Sequence, residues 1–313
     1  MDTLSDVLRV FALEGGVFLD AKFSAPWAVV SRVEPQDLRL SLPKSAHLLA
    51  YHYIAEGQPL LRIGDSEPMR LHAGEVILLP RNATHVLSSA EGLQPIDAGP
   101  LVTSPEPGAL ARIRWEGGGE ATRLVCGYIG CEAGRHPLIN ALPEVLRLDI
   151  REWDAGPWVE SLFRYAAQES ASRRPGGETT LAKVSELLFV EAVRQHLDRA
   201  NDEHRGWIAG LMDPAVGRAL ALIHERPEQA WTVEGLAREV FLSRSAFAER
   251  FTTLVGMAPL GYLTSWRMQR AKHALRQGRP IAHIVGEVGY ESEAAFSRAF
   301  KREVGCAPSQ WRA

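Results

Sequence analysis

Two short stretches carry side chains suited to reading the edges of bases: Ser243-Arg244-Ser245-Ala246-Phe247-Ala248-Glu249-Arg250-Phe251 and Ser292-Glu293-Ala294-Ala295-Phe296-Ser297-Arg298-Ala299-Phe300-Lys301. In helical form, Phe247 and Phe251 fall four apart on one face, as do Phe296 and Phe300, so the opposite faces point outward. The first outward face offers Arg244, Ser245, Ala248 and Glu249; the second offers Glu293, Ala294, Ala295, Ser297 and Arg298. A guanidinium suits guanine or phosphate, and a carboxylate accepts from cytosine. Arg298 is the strongest candidate for a base contact. Arg250, Arg267, Arg270, Lys272 and Lys301 suit phosphates, which add affinity without sequence information.

Each stretch needs a preceding helix and a tight turn to present it. Before the first, Thr232 precedes apolar Val233, Leu236, Ala237 and Val240 at helical spacing, and then Phe241-Leu242 leads to Ser243. Before the second, Ile281, Ile284, Val285 and Val288 lead through Gly289-Tyr290-Glu291 to Ser292. Laid over one another without a gap, Ser243, Ala246, Phe247, Phe251, Val255, Gly256, Ala258 and Pro259 meet identical residues in the second copy. A helix, a short turn and a Ser-capped second helix is the helix-turn-helix pattern, whose second helix enters a major groove. Between the copies, Pro259 to Gln277 reads as one helix about 27 Å long, which would set the two second helices roughly one DNA turn apart.

The charge is distributed to match. The net charge is −3, but residues 211–313 carry 14 Lys and Arg against 10 Asp and Glu, while residues 1–210 carry 21 against 28. From Ser243 to Arg279 there are 7 basic residues and 1 acidic, a positive field around the first recognition helix and the linker helix.

Trp231 to Trp311 resembles the DNA-binding domain of the AraC/XylS family of bacterial transcription regulators. The two stretches above carry the resemblance, together with Trp266-Arg267-Met268 and Val288-Gly289-Tyr290. Two positions depart from the family pattern. Phe241 stands where Gly is usual, which costs about 1–2 kcal/mol if the site needs a positive φ, and Val285 stands where a small Ala is usual.

The N-terminal half changes character. Short β-rich runs such as Trp27-Ala28-Val29-Val30, Leu48 to Ile54 and Val76-Ile77-Leu78-Leu79, separated by Gly and Pro turns, suggest an antiparallel barrel. Gly74 to His85 resembles the second motif of cupins, with Asn82 in place of its usual Gly. His52 and Glu56 resemble a reduced first motif in which Ala50 replaces a ligand. His52, Glu56 and His85 are thus the candidate effector-binding set, and the metal face if there is one, although the resemblance favours a metal-free sensor. Cys126 and Cys131 are candidates for a thiol switch if a loop near Gly130 lets them converge, since positions five apart on a regular strand face opposite ways. Cys126, Cys131 and His136 also resemble part of a zinc site.

In the middle, Trp158 to Gln168 reads as an amphipathic helix. Leu181 to Arg199 reads as another, whose apolar stripe is broad enough to need two partners: the barrel, and the same helix of a second subunit. The expected organisation is α+β in two domains: a cupin-like antiparallel β-barrel sensor (1–155), a helical connector for dimerisation (156–210), and an all-α domain with two helix-turn-helix motifs joined by a long helix (211–313). The acidic N-terminus has no signal-like apolar run, and three cysteines make no disulfide framework, which together point to the cytoplasm.

The resemblance implies a homodimeric, non-enzymatic regulator without a cofactor that binds double-stranded promoter DNA. It implies activation through RNA polymerase in response to a small-molecule effector or redox signal, with no membrane partner. The alternative is a metal-dependent cupin enzyme fused to a DNA-binding domain.

Overall fold

The computed structural model describes residues 3–10, 13–38, 47–103, 111–131, 137–172, 174–199 and 207–311. It divides into two compact units: one of residues 13–135 and 142–198, the other of residues 1–12, 136–141 and 199–313.

The first unit holds strands β1 (Leu13–Ser24), β2 (Ala28–Ser31), β3 (His47–Glu56), β4 (Leu60–Ile63), β5 (Met69–Arg70), β6 (Glu75–Leu79), β7 (His85–Ser88), β8 (Ile96–Asp97), β9 (Ala111–Glu116), β10 (Ala121–Cys131) and β11 (Leu146–Asp149). They form two sheets, ordered β11-β6-β3-β10-β1-β9 and β5-β4-β7-β2-β8. Inward side chains of both sheets, among them Phe23, Val29, Ile54, Leu61, Ile77 and Leu124, share one core. The expected α+β class holds, but the antiparallel barrel is not closed: the two sheets face one another, and β1–β9 and β2–β8 pair in parallel. The chain bends at Ala25-Pro26 and passes from the large sheet to the small one, and no ladder joins β9 to β8 among the described residues.

Helices α3 (Gly156–Ser172) and α4 (Gly177–Asp198) belong to this unit and cover the outer face of the large sheet. Tyr53 stacks on Phe163 of α3 with ring centroids 4.7 Å apart. With a core on one face and helices on the other, β3 is buried from Leu48 to Ile54 and reads as a continuous apolar run rather than an alternation. The broad stripe of α4 meets the sheet and α3, so the second partner expected from another subunit is supplied within the chain. Residues 156–198 are therefore part of the sensor unit rather than a separate connector.

The second unit contains α5 (Trp207–Met212), α6 (Pro214–Glu225), α7 (Val233–Glu239), α8 (Arg244–Val255), α9 (Pro259–Arg276), α10 (Ile281–Glu287), α11 (Glu293–Val304) and α12 (Pro308–Trp311). Two earlier segments join it: α1 (Thr3–Val10) packs against α6 and α9, and α2 (Pro137–Ala141) against α5. By contact, the division thus falls elsewhere than the expected boundary at 155. In the interior, His224 of α6 stacks on Trp266 with ring centroids 3.8 Å apart and lies 2.8 Å from the Tyr262 hydroxyl. Val285 fits the core beside Ile284, Val288, Phe296 and Phe300. Among the described residues no helix is long and apolar enough to cross a membrane.

Candidate nucleic-acid interface and sensor site

The two helix-turn-helix motifs form as the repeat predicts. Thr232 caps α7 by accepting from the Gly235 amide at 2.9 Å, while Ser243 and Ser292 cap α8 and α11 by accepting from the Ala246 and Ala295 amides, each at 3.2 Å. Such caps satisfy amides that the first helical turn leaves unpaired. Gly256 and Gly305 end the helices with φ of 79° and 91°, a conformation that glycine adopts without penalty. Phe247, Phe251, Phe296 and Phe300 are wholly buried, which orients both helices. Arg244, Ser245 and Glu249 are exposed on α8, with Ala248 half-buried beside them. On α11, Glu293, Ala294, Arg298 and Lys301 are exposed, and Ala295 and Ser297 are half-buried. The α9 helix that joins the motifs has 18 residues, about 27 Å.

Three of the basic residues make contacts within the domain. Arg250 points to α6, where its Nε and Nη2 donate to Asp213 Oδ2 at 2.9 and 2.5 Å. That carboxylate also caps α6 by accepting from the Ala215 and Val216 amides. Burial pushes the Asp213 pKa up, but the Arg250 and amide hydrogen bonds outweigh it and hold the group below its ordinary value. Arg267 donates to the carbonyls of Pro227 and Gln229 at 2.7 and 3.0 Å and lies over the Tyr290 ring. It therefore ties the α6–α7 loop to the second turn. A Cβ at Gly289 would come within 2.7 Å of the Glu228 carbonyl and closer still to the Arg267 guanidinium, so that turn requires glycine. Lys272 is buried with its ammonium 4.9 Å from the Trp311 ring. These three side chains make contacts within the domain, while Arg244 on α8 and Arg298, Lys301 and Arg302 on α11 are exposed.

In the first turn Phe241 occupies the position that Gly289 holds in the second. Its φ is 58°, so the penalty of about 1–2 kcal/mol for a bulky residue there applies. The ring is 95% exposed.

In the sensor unit the register of β3 on β10 sets Cys126 directly opposite His52. The Cys126 Sγ lies 2.8 Å from His52 Nδ1, and His52 Nε2 lies 2.7 Å from His85 Nε2. His85 Nδ1 is 2.8 Å from the Ala83 carbonyl, which can only accept. That carbonyl fixes every proton in the row, by hydrogen-bond accounting. His85 Nδ1–H donates to it, His52 Nε2–H donates to His85 Nε2, and the Cys126 thiol donates to His52 Nδ1. All three side chains are buried. Burial first, and then the neighbouring His85, hold the His52 pKa well below its ordinary value. Burial lowers that of His85 against the opposing Ala83 hydrogen bond, and burial pushes the Cys126 thiol far up. The row is neutral throughout.

Two expected groupings do not form. Glu56 sits exposed at the end of β3, opposite Arg123, four residues or about 13 Å along the strand from His52. His52 turns one nitrogen to Cys126 and the other to His85, so these donors do not converge on one point, and no cluster of three or more His, Cys, Asp or Glu among the described residues is arranged to hold a metal ion. The donor set does not fit the metal face of a cupin. Cys126 and Cys131 lie on one unbroken strand paired on both sides, about 16 Å apart and facing opposite ways, which a disulfide cannot span. His136 lies outside the described residues. Sequence reasoning missed Cys126 as the partner of His52. The only signal for it was the coincidence of a buried-strand Cys with a buried-strand His.

The neutral row makes a prediction about acid. Both imidazoles have folded pKa values below the unfolded value of about 6.5, so the unfolded chain binds more protons as pH falls through that value. Stability of the sensor unit is full above about pH 7 and declines by about 1.4 kcal/mol per pH unit for each imidazole that stays neutral below about 6.5. Urea unfolding at pH 7.5 and 5.5, above the carboxylate range, measures it. Equal midpoints would contradict the protonation scheme.

Comparison with known proteins completes the picture. A family profile described as Cupin matches residues 2–198, and one described as Helix-turn-helix domain matches residues 236–313. An AraC-like transcription regulator of Streptomyces antibioticus is 34% identical over 318 residues, covering all of this chain and 98% of that protein. The HTH-type transcriptional regulator AlkR of Acinetobacter baylyi is 29% identical over all of this chain and 99% of its own. The RCS-specific HTH-type transcriptional activator RclR of Escherichia coli is 28% identical over all of this chain and 97% of its own. With the paired recognition helices built as described, the chain belongs to the AraC-like transcription regulators: it is a DNA-binding regulator whose N-terminal half is a cupin-like sensor domain.

Proposed function

We propose that the protein is a cytoplasmic activator of transcription that reads promoter DNA with α8 and α11 and senses a two-electron oxidant at Cys126. The hydrogen-bonded row Cys126–His52–His85 carries the second half of this reading. The thiol sulfur attacks the terminal oxygen of a hydroperoxide, the O–O bond breaks, and Cys126 becomes a sulfenic acid as the sulfur loses two electrons. The thiol proton goes to the leaving alkoxide, which departs as an alcohol, so no charge is left on the buried row. Sulfenic acid places an extra oxygen inside a packed core and moves the donor that faces His52 from sulfur to that oxygen, which the 2.8 Å spacing cannot hold, so the strands it joins must repack.

Sequence-specific contacts come from Arg244, Ser245, Ala248 and Glu249 on α8 and from Glu293, Ala294, Ala295, Ser297 and Arg298 on α11, with Lys301 on phosphate. Trp158, Tyr165 and Leu187 are exposed on α3 and α4 and suit a second copy of the chain. RNA polymerase is the partner that activation requires. The mechanism is binding, without a catalytic step or cofactor. The activator name of the Escherichia coli relative supports the sign of regulation.

The test is a titration of the full-length protein against its upstream duplex and a scrambled duplex, with and without hydroperoxide. Oxidant is expected to change specific affinity of the wild type and of Cys131→Ser by about fivefold or more, and to leave Cys126→Ser unchanged. A response that survives Cys126→Ser would refute the thiol assignment. No response in the wild type would direct the search to a small-molecule effector.

A further inference from the structure

We infer that Phe241 is a DNA-contacting residue, its ring lying on the deoxyribose edge of the backbone beside the groove that α8 enters. The inference rests on the reading of α8 as a recognition helix.

Two independent observations point outward from this side chain. Phe241 has a φ of 58° in the same turn position where the second motif has Gly289 at 72°, and the ring is 95% exposed. The backbone is strained and the ring gains no burial within the protein, so nothing inside the fold compensates for either. Strain retained at a position where glycine would relieve it marks a contact made outside the chain.

Continuity with the recognition helix selects the occupant. Phe241 precedes the cap Ser243 by two residues and Arg244 by three, so its Cα lies within about 7.6 Å of that of Ser243. Ser243, Arg244 and Ser245 are all exposed at the N-terminal end of α8. When the first turn of α8 sits in a major groove, the strand bordering that groove is the surface within reach of the phenyl ring. Apolar side chains meet sugars and thymine methyl groups there. The contact adds affinity without neutralising a phosphate.

Full-length wild type, Phe241→Gly, Phe241→Ala and Arg298→Ala are titrated with the upstream and scrambled duplexes at three salt concentrations, alongside thermal unfolding. Phe241→Gly relieves the strain and removes the ring, whereas Phe241→Ala removes the ring and keeps the strain. Both are expected to bind about tenfold more weakly, the effect of uncovering part of an aromatic ring, with the slope of log affinity on log salt unchanged because no counterion release is lost. Only Phe241→Gly should unfold at a higher temperature than the wild type. A purely structural role gives the opposite ordering, with the more stable Phe241→Gly binding at least as well as wild type, and that result overturns the inference. Unchanged DNA affinity with reduced activation in a transcription assay overturns it in favour of a protein surface. Weakening by Arg298→Ala without any by the Phe241 variants removes this contact alone. A wild type with no preference for the upstream duplex removes the recognition reading with it.

Discussion

Replacing Arg244 and Arg298 together by alanine is expected to lower affinity for the upstream duplex by about 2–6 kcal/mol, erasing most of its preference over scrambled DNA. Each is an exposed guanidinium on the outward face of its own helix, and a good guanidinium contact with a base edge is worth about 1–3 kcal/mol of discrimination. The sites lie on separate helices joined by the 18 residues of α9, so their effects should add. Lys301→Ala provides the contrast: it should weaken binding to both duplexes about equally and reduce the salt slope by about 1. Fluorescence anisotropy at two salt concentrations distinguishes the two patterns. A double variant that still discriminates within threefold of wild type would mean that the bases are read by other residues.

The choice of arginines could not be made from the sequence. Helical spacing separates the Phe face from its opposite, but it treats Arg250 and Arg298 alike. What distinguishes them is Asp213, which claims Arg250 from 37 residues away. Arg267 likewise is held by carbonyls 40 and 38 residues earlier. Caps, turns and apolar periodicity are local and were legible: Ser243, Ser292 and the Phe pairs fall where the repeat puts them. Long-range pairs that fix a side chain's partner were not.

The sensor half shows the same limit more sharply. The Cys126–His52 contact spans 74 residues and exists because β3 and β10 pair in one register; a shift of one residue would turn either side chain to the other face. Grouping Glu56 with His52 rested on the resemblance to a cupin motif, but the strand carries Glu56 to its exposed end, away from His52. Gly130 suggested a break in β10, yet pairing with β1 on one side and β3 on the other keeps the strand continuous through it. The stripe on α4 was legible as needing two partners, and only packing could say that α3 was one of them.

The largest effect on stability is expected at Phe296, the centre of the second motif. Its ring is wholly buried, 5.8 Å from Tyr290 and 5.6 Å from Phe300 by centroids, in the core that also holds Ile284, Val288 and Ala299. Phe296→Ala removes most of that apolar surface and leaves a cavity that α9, α10 and α11 cannot all close, a cost of about 3–5 kcal/mol. A domain of this size typically has only about 5–15 kcal/mol in total, so the second motif should be largely unfolded near 37 °C. Phe296→Leu keeps more of the volume and should recover much of the loss. Because the sensor unit has its own core, thermal unfolding of Phe296→Ala should show one early transition for the DNA-binding unit and an unshifted one for the sensor unit. Affinity for the upstream duplex should fall at least as far as in the double arginine variant. A midpoint within about 2 °C of wild type, corresponding to under about 1 kcal/mol, would show that the turn around Gly289 and the Arg267 clamp hold the motif without its central ring.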